Sequence, residues 1–195
     1  MRSTTALISL ALALLAGVGV RAGEMALPAD SIYHMQAPLL DQNGGRRTLA
    51  ATHGHVSFIA MFYSGCSNVC PLIVETLKMT EDALGQTERA ELRTSLISLD
   101  PAHDTPAKLK VLSKQRHIDE SRWALLTTDT PSVRKIAGVL GVQYRQLANG
   151  EFNHSSVLIL LDRQGRIVAR TTRLGALDAE FLAAARKALA ASRRS

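Results

Sequence analysis

The 195-residue chain is poor in aromatic side chains, at 4% of its residues, and holds only two cysteines and one tryptophan. Two cysteines cannot build a disulfide-dense scaffold, and a domain of this size does not need one: about 150 residues bury roughly 68–70% of their unfolded surface. With 46% hydrophobic and 21% charged residues, the chain has neither the polarity of a disordered tail nor the composition of a fibrous protein. Basic residues exceed acidic ones, for a formal net charge of +6, but they are scattered, with one small cluster at Arg193-Arg194. A basic stripe interleaved with aromatics is missing, which argues against nucleic acid as a partner. Also missing are a P-loop, a Gly-x-Gly-x-x-Gly fingerprint and a Ser-His-Asp arrangement, so nucleotide-binding and hydrolase readings have no support. No internal repeat, low-complexity tract or long linker divides the chain.

One long apolar run is present. It covers residues 6–20, follows the basic start Met1-Arg2 and ends at Val20-Arg21-Ala22, with small residues at both cleavage-determining positions. This reads as a secretory signal peptide over residues 1–22, leaving a single domain over residues 31–191. The alternative is a retained membrane anchor, although about 15 apolar residues fall short of the roughly 20 that span a bilayer. No cysteine follows the run to take a lipid. Cleavage removes Arg2 and Arg21 and leaves a net charge of +4. The implied location is periplasmic or otherwise exported, or tethered to a membrane through this segment. There, a lone pair of cysteines oxidises unless a reductant or a metal keeps it otherwise.

The turn cluster Asp41-Gln42-Asn43-Gly44-Gly45 predicts a hairpin near the start of the domain. Residues 56–63 are β-branched and aromatic, as in a strand buried on both faces. Helical periodicity follows from Pro71, suited to a first helical position, and ends at Gly85. Strands are predicted at 92–99, 123–126, 156–162 and 166–171, and helices at 106–115, 131–140 and 176–191. This alternation, finishing in a hairpin and a helix, implies an α/β fold: a mixed sheet flanked by helices, with an N-terminal hairpin extension.

The strand over 56–63 runs into Ser64-Gly65-Cys66-Ser67-Asn68-Val69-Cys70-Pro71. At helical spacing the two cysteine Cβ atoms lie about 5–6 Å apart, whereas a disulfide wants roughly 3.5–4.5 Å, so a small loop adjustment opens or closes the bond. The helix N-terminus at Cys70 is expected to lower the thiol pKa and favour thiolate, the form that attacks disulfides and binds soft metals. For the pair alone, a static disulfide or two thiols filling a gap in the core is the alternative.

Three blocks of sequence together resemble the Sco/SenC family of copper chaperones. They are Phe62-Tyr63-Ser64-Gly65-Cys66-Ser67-Asn68-Val69-Cys70-Pro71, then Asp100-Pro101-Ala102-His103-Asp104-Thr105-Pro106, then Asn153-His154-Ser155-Ser156 before an apolar strand. The likeness covers roughly residues 35–174. It implies a thioredoxin-like fold and a copper site made of Cys66, Cys70 and His154. Two thiolates and an imidazole form a soft set that suits Cu(I) while keeping Cu(II) accessible. The resemblance further implies a metallochaperone that takes copper from a donor protein and delivers it to a respiratory cuproenzyme, such as the dinuclear copper centre of a cytochrome c oxidase subunit. Oxidising the pair would remove both sulfur ligands, which couples copper binding to the redox state of Cys66 and Cys70 and calls for a thiol reductant. The chain departs from the family pattern at Ser67-Asn68, where members often carry Pro-Asp, and at Asn153, where an Asp commonly precedes the histidine. Both departures remove negative charge beside the metal.

Two other readings remain open. In the first, Cys66 and Cys70 are the redox-active pair of a thiol–disulfide oxidoreductase that reduces the recipient's cysteines; in the second, the protein is a thiol peroxidase. Of the remaining histidines, His53-Gly54-His55 is a candidate for weak metal binding and His103 for a secondary role at the site, while His34 and His117 read as surface residues. Asp100 and Asp104 are expected to fix their turn and cap the helix that follows.

Overall fold

The computed structural model of the chain describes residues 26–66 and 69–191. The apolar run read as a signal peptide lies outside them. The expected hairpin forms from β1 (Leu39–Asp41) and β2 (Arg46–Arg47). It is then followed by β3 (Val56–Phe62), α1 (Val69–Asp82), α2 (Gln86–Ala90), β4 (Leu92–Ser98), α3 (Pro106–Gln115) and β5 (Trp123–Thr127). The chain continues through α4 (Thr130–Leu140), β6 (Tyr144–Gln146), β7 (Phe152–His154), β8 (Leu158–Leu161), β9 (Ile167–Thr171) and α5 (Ala179–Ala191).

Seven strands make one mixed sheet in the order β2-β1-β5-β4-β3-β8-β9, while β6 and β7 pair as a separate two-stranded sheet. The central strands β3, β4 and β5 run parallel, and β1 and β8 join them antiparallel. Every residue of β3 is buried, Ser57 included, as its largely apolar sequence requires. On one face Phe58 stacks on Phe181 of α5 with ring centroids 5.3 Å apart. The same face carries α1, since Arg186 of α5 donates to the Ala83 carbonyl just past its end and the Gly175 N–H reaches Thr76 Oγ1.

Because β3, β4 and β5 are parallel, their C-terminal ends share one edge of the sheet. That edge carries the cysteine loop, the turn after β4 and the start of α4, as open α/β sheets arrange their functional loops. The helix starts are fixed locally. Thr105 Oγ1 accepts from the Lys108 N–H, Asp129 from the Ser132 N–H, and Asp178 from those of Glu180 and Phe181.

Several elements differ from the sequence-based expectation. The first helix ends at Asp82, and Gly85 instead opens the unanticipated α2. The last begins at Ala179, three residues later than expected, because Asp178 caps it. The expected N-terminal hairpin extension is present and joins the main sheet. Strand β1 pairs with β5 through Leu40↔Thr127 and Asp41↔Leu126, so the hairpin widens the main sheet. Among the described residues no helix is long and apolar enough to cross a membrane.

Candidate metal centre

Strand β3 ends at Phe62, and the next four residues turn the chain away from the sheet, with the Cys66 N–H bonded to the Tyr63 carbonyl at 3.3 Å. Cys70 is the second residue of α1. Its N–H points at Cys66 Sγ, 3.4 Å away, and its own Sγ accepts from the Tyr63 N–H at 3.4 Å. The expected pair is thus brought together, as thiols rather than a disulfide. Cys66 is half-buried and Cys70 is 5% exposed. Pro71 sits in the first turn of α1, where its missing N–H is not needed.

Burial pushes the Cys70 thiol up, with the neighbouring Cys66 and the Asp104 carboxylate acting in the same direction. The expectation that the helix N-terminus favours thiolate is therefore corrected. The sulfur lies too far from water for the partial positive charge of the helix to win. Metal-free Cys70 holds its proton, and a metal must displace it.

His154 ends β7, half-buried, and stands edge-on to the Tyr63 ring with centroids 6.1 Å apart. Tyr63 also packs on Phe152, which contacts Tyr144 across the β6–β7 pair. A carbonyl can only accept, so the 3.3 Å contact between His154 Nδ1 and the Ser155 carbonyl assigns the proton to Nδ1 and leaves the Nε2 lone pair available. Burial holds the imidazole below its ordinary pKa, so it is neutral near pH 7. The three expected ligands are not all gathered. Among the described residues no three Cys, His, Asp or Glu side chains stand close enough to hold a metal ion; Tyr63, whose ring meets His154, also lines the cavity at the cysteines.

A cavity of about 20 Å³ adjoins the cysteines, walled by Tyr63, Cys66, Cys70, Pro71, Leu112 and Arg116 among others. A space that holds about one water molecule suits an ion and excludes an organic substrate.

Asp104 does not cap α3; Thr105 does. The Asp104 carboxylate is fully buried and reaches across to the cysteine loop. It accepts from the Ser64 N–H at 2.9 Å, from the Ser64 hydroxyl and from the Ser98 hydroxyl at 2.6 Å, with Lys108 Nζ 3.7 Å away. Ser98 Oγ in turn accepts from the Asp100 N–H, and Asp100 holds His103 Nδ1 at 2.8 Å, as a turn-fixing residue should. His103 is largely exposed beside this turn. His55 lies at the opposite end of β3, a seven-residue strand about 20 Å long, so the His53-Gly54-His55 segment is remote from the cysteines. His53 instead packs edge-on to Tyr33, and His34 Nε2 contacts the Pro28 carbonyl.

Sequence reasoning missed Tyr63 as the ring shared by His154 and the cavity wall, the Asp104 anchor and Arg116 in the same wall. A hairpin signal, Asn149-Gly150, could have revealed β6 and β7 and with them the aromatic platform.

Comparison with known proteins extends this picture. A family model described as SCO1/SenC matches residues 29–190. A SCO2-like protein of Rickettsia typhi is 25% identical over 154 residues, covering 75% of this chain and 74% of the relative. Copper-bound ScoI of Bradyrhizobium japonicum superposes with a TM-score of 0.63 at 25% identity, over 81% of this chain and 96% of that one. Copper-bound yeast Sco1 does so with a TM-score of 0.61 at 25% identity, over 70% and 77%. The fold is the thioredoxin-like one of these Sco structures. With a match running from before the first turn of the domain into its last helix, the chain belongs to the SCO1/SenC family.

Proposed function

We propose that this chain is an exported copper chaperone, a single domain over residues 31–191 behind a signal segment over residues 1–22, that binds copper through Cys66, Cys70 and His154. The observation that carries the reading is the pair of sulfurs at an ion-sized cavity, with a neutral imidazole edge-on to Tyr63 of the cavity wall. The copper-bound Sco relatives support it. Copper would displace the two thiol protons to solvent, and His154, on the short β6–β7 sheet that is not part of the main sheet, would complete the set. Delivery to the dinuclear copper centre of cytochrome c oxidase, or to another respiratory cuproenzyme, is the recipient that family membership favours. A copper donor and a thiol reductant are the further partners this role requires.

The test is copper binding by the reduced protein, followed by competition for Cu(I) and by thiolate-to-Cu(II) absorption. Cys70→Ser should abolish tight binding of both ions, and His154→Ala should weaken it while leaving the fold intact. Wild-type binding no tighter than that of Cys70→Ser would sink the reading. The thiol–disulfide oxidoreductase is the second reading, favoured by the separation of His154 from the cysteines. It requires that His154→Ala leave exchange rates with a disulfide substrate unchanged and that copper bind weakly.

A further inference from the structure

Among the described residues, Arg116 is the one charged residue in the wall of the cavity beside Cys66 and Cys70. It follows the last turn of α3 and is brought there by Leu112, one turn earlier, which lines the same space. Other arginines of the chain are committed to carboxylates: Arg122 to Glu81, Arg163 to Glu91 and Arg166 to Asp162. Among the described residues nothing acidic pairs with the Arg116 guanidinium. A second cation adjoins it, because Lys78 of α1 donates its ammonium to the Arg116 carbonyl. Asp104, the carboxylate that acts on Cys70, is already turned toward Ser64, Ser98 and Lys108. From the β6–β7 side, Asn153 faces Arg145 in the strand register, which adds no negative charge.

This placement matters because the two oxidation states of a dithiolate copper complex differ in charge. With a neutral histidine, two thiolates and Cu(II) sum to zero, and two thiolates and Cu(I) sum to −1. A fixed positive charge at the edge of the site attracts the second complex and is nearly indifferent to the first. Resting on the copper reading above, we propose that Arg116 is a specificity-determining residue that weights this site toward Cu(I). A unit charge adjoining a partly buried site shifts an equilibrium by roughly tenfold or more at protein-like dielectric. A tenfold change in the ratio of Cu(I) to Cu(II) affinity corresponds to about 59 mV in the copper midpoint potential.

The experiment compares wild type, Arg116→Met and Arg116→Lys as full-length reduced protein under anaerobic conditions. Cu(I) affinity is read by competition with a chromophoric chelator and Cu(II) affinity by the thiolate charge-transfer band. Arg116→Met should lose roughly tenfold in Cu(I) affinity with Cu(II) affinity changed less than twofold, and Arg116→Lys should recover most of the loss. Equal weakening of both ions would make Arg116 a structural residue and overturn the proposal, as would an unchanged Cu(I) affinity. The affinity ratio is insensitive to partial unfolding, which lowers both values together. Cys66→Ser, measured alongside, separates the two levels: if wild type binds neither ion more tightly than Cys66→Ser, the copper reading itself falls.

Discussion

Replacing Asp104 by alanine should be among the most damaging single changes outside the apolar core, and the size of the effect follows from what the carboxylate holds. Three donors converge on it: the Ser64 N–H, the Ser64 hydroxyl and the Ser98 hydroxyl. The aspartate itself is fully buried, so water does not readily replace it. A buried donor left without a partner costs about 1–3 kcal/mol. The two hydroxyls can rotate toward other acceptors, but the backbone N–H cannot. The expected cost of Asp104→Ala is therefore about 3–5 kcal/mol, a large part of the 5–15 kcal/mol that stabilises a typical domain. Asp104→Asn keeps the shape. Its carbonyl oxygen can still accept from the Ser64 N–H and Ser98, and the Ser64 hydroxyl can turn to accept from the new amide, so about 1–2 kcal/mol is expected. Urea unfolding followed by the fluorescence of buried Trp123 measures both. A cost below about 1 kcal/mol for alanine, or an asparagine variant as damaged as alanine, would refute the assignment of Asp104 as the anchor of the cysteine loop.

Under iodoacetamide near pH 8, Cys66 should be alkylated at least about tenfold faster than Cys70, whose thiol burial both shields and pushes up; equal rates by peptide mass spectrometry would contradict this. His154 titrates below the ordinary histidine value because burial disfavours its charged form. Its stabilising contribution is complete above about pH 6.5 and is lost as pH falls through the lowered value, and copper binding should weaken over the same window; a proton NMR midpoint at or above 6.5 would count against the geometry. Glu120, hydrogen-bonded by Lys110 Nζ and then by the Ser113 hydroxyl, is held down at about 2. Its contribution is present above the usual carboxylate range and disappears as pH falls toward about 2, so Glu120→Gln should cost about 1 kcal/mol at pH 7 and almost nothing at pH 2, read from urea midpoints at the two pH values.

What was legible in the sequence was whatever local pattern decides. The largely apolar β3, the proline-marked helix starts and the final hairpin needed no tertiary information, and the two cysteines fall together because the loop between them is short. What was not legible depended on distance or on competition between effects. Asp104 looks like a cap because it precedes Thr105-Pro106, yet its partner Ser64 lies 40 residues earlier. The helix N-terminus at Cys70 argues for thiolate in the abstract, and only the 5% exposure of that residue shows that burial wins. Strands β6 and β7 have three residues each, two of them polar in either strand, too short for periodicity to register. Their absence from the sequence-based scheme hid the Tyr63–Phe152–Tyr144 platform and the contact of Tyr63 with His154.

The seven-stranded sheet is open, so it has two edges that could recruit a strand from another molecule, and the two are defended unequally. At one edge β2 is two residues long and both are exposed arginines, which repel a copy of themselves and leave almost no ladder to extend. At the other, β9 offers five residues with Val168 47% exposed. Its protection comes from the cationic side chains Arg166 and Arg170 flanking that valine and from α5 packed behind it. Neutralising those two arginines would turn β9 into the weak point for strand-to-strand aggregation, while the same treatment of β2 would change little.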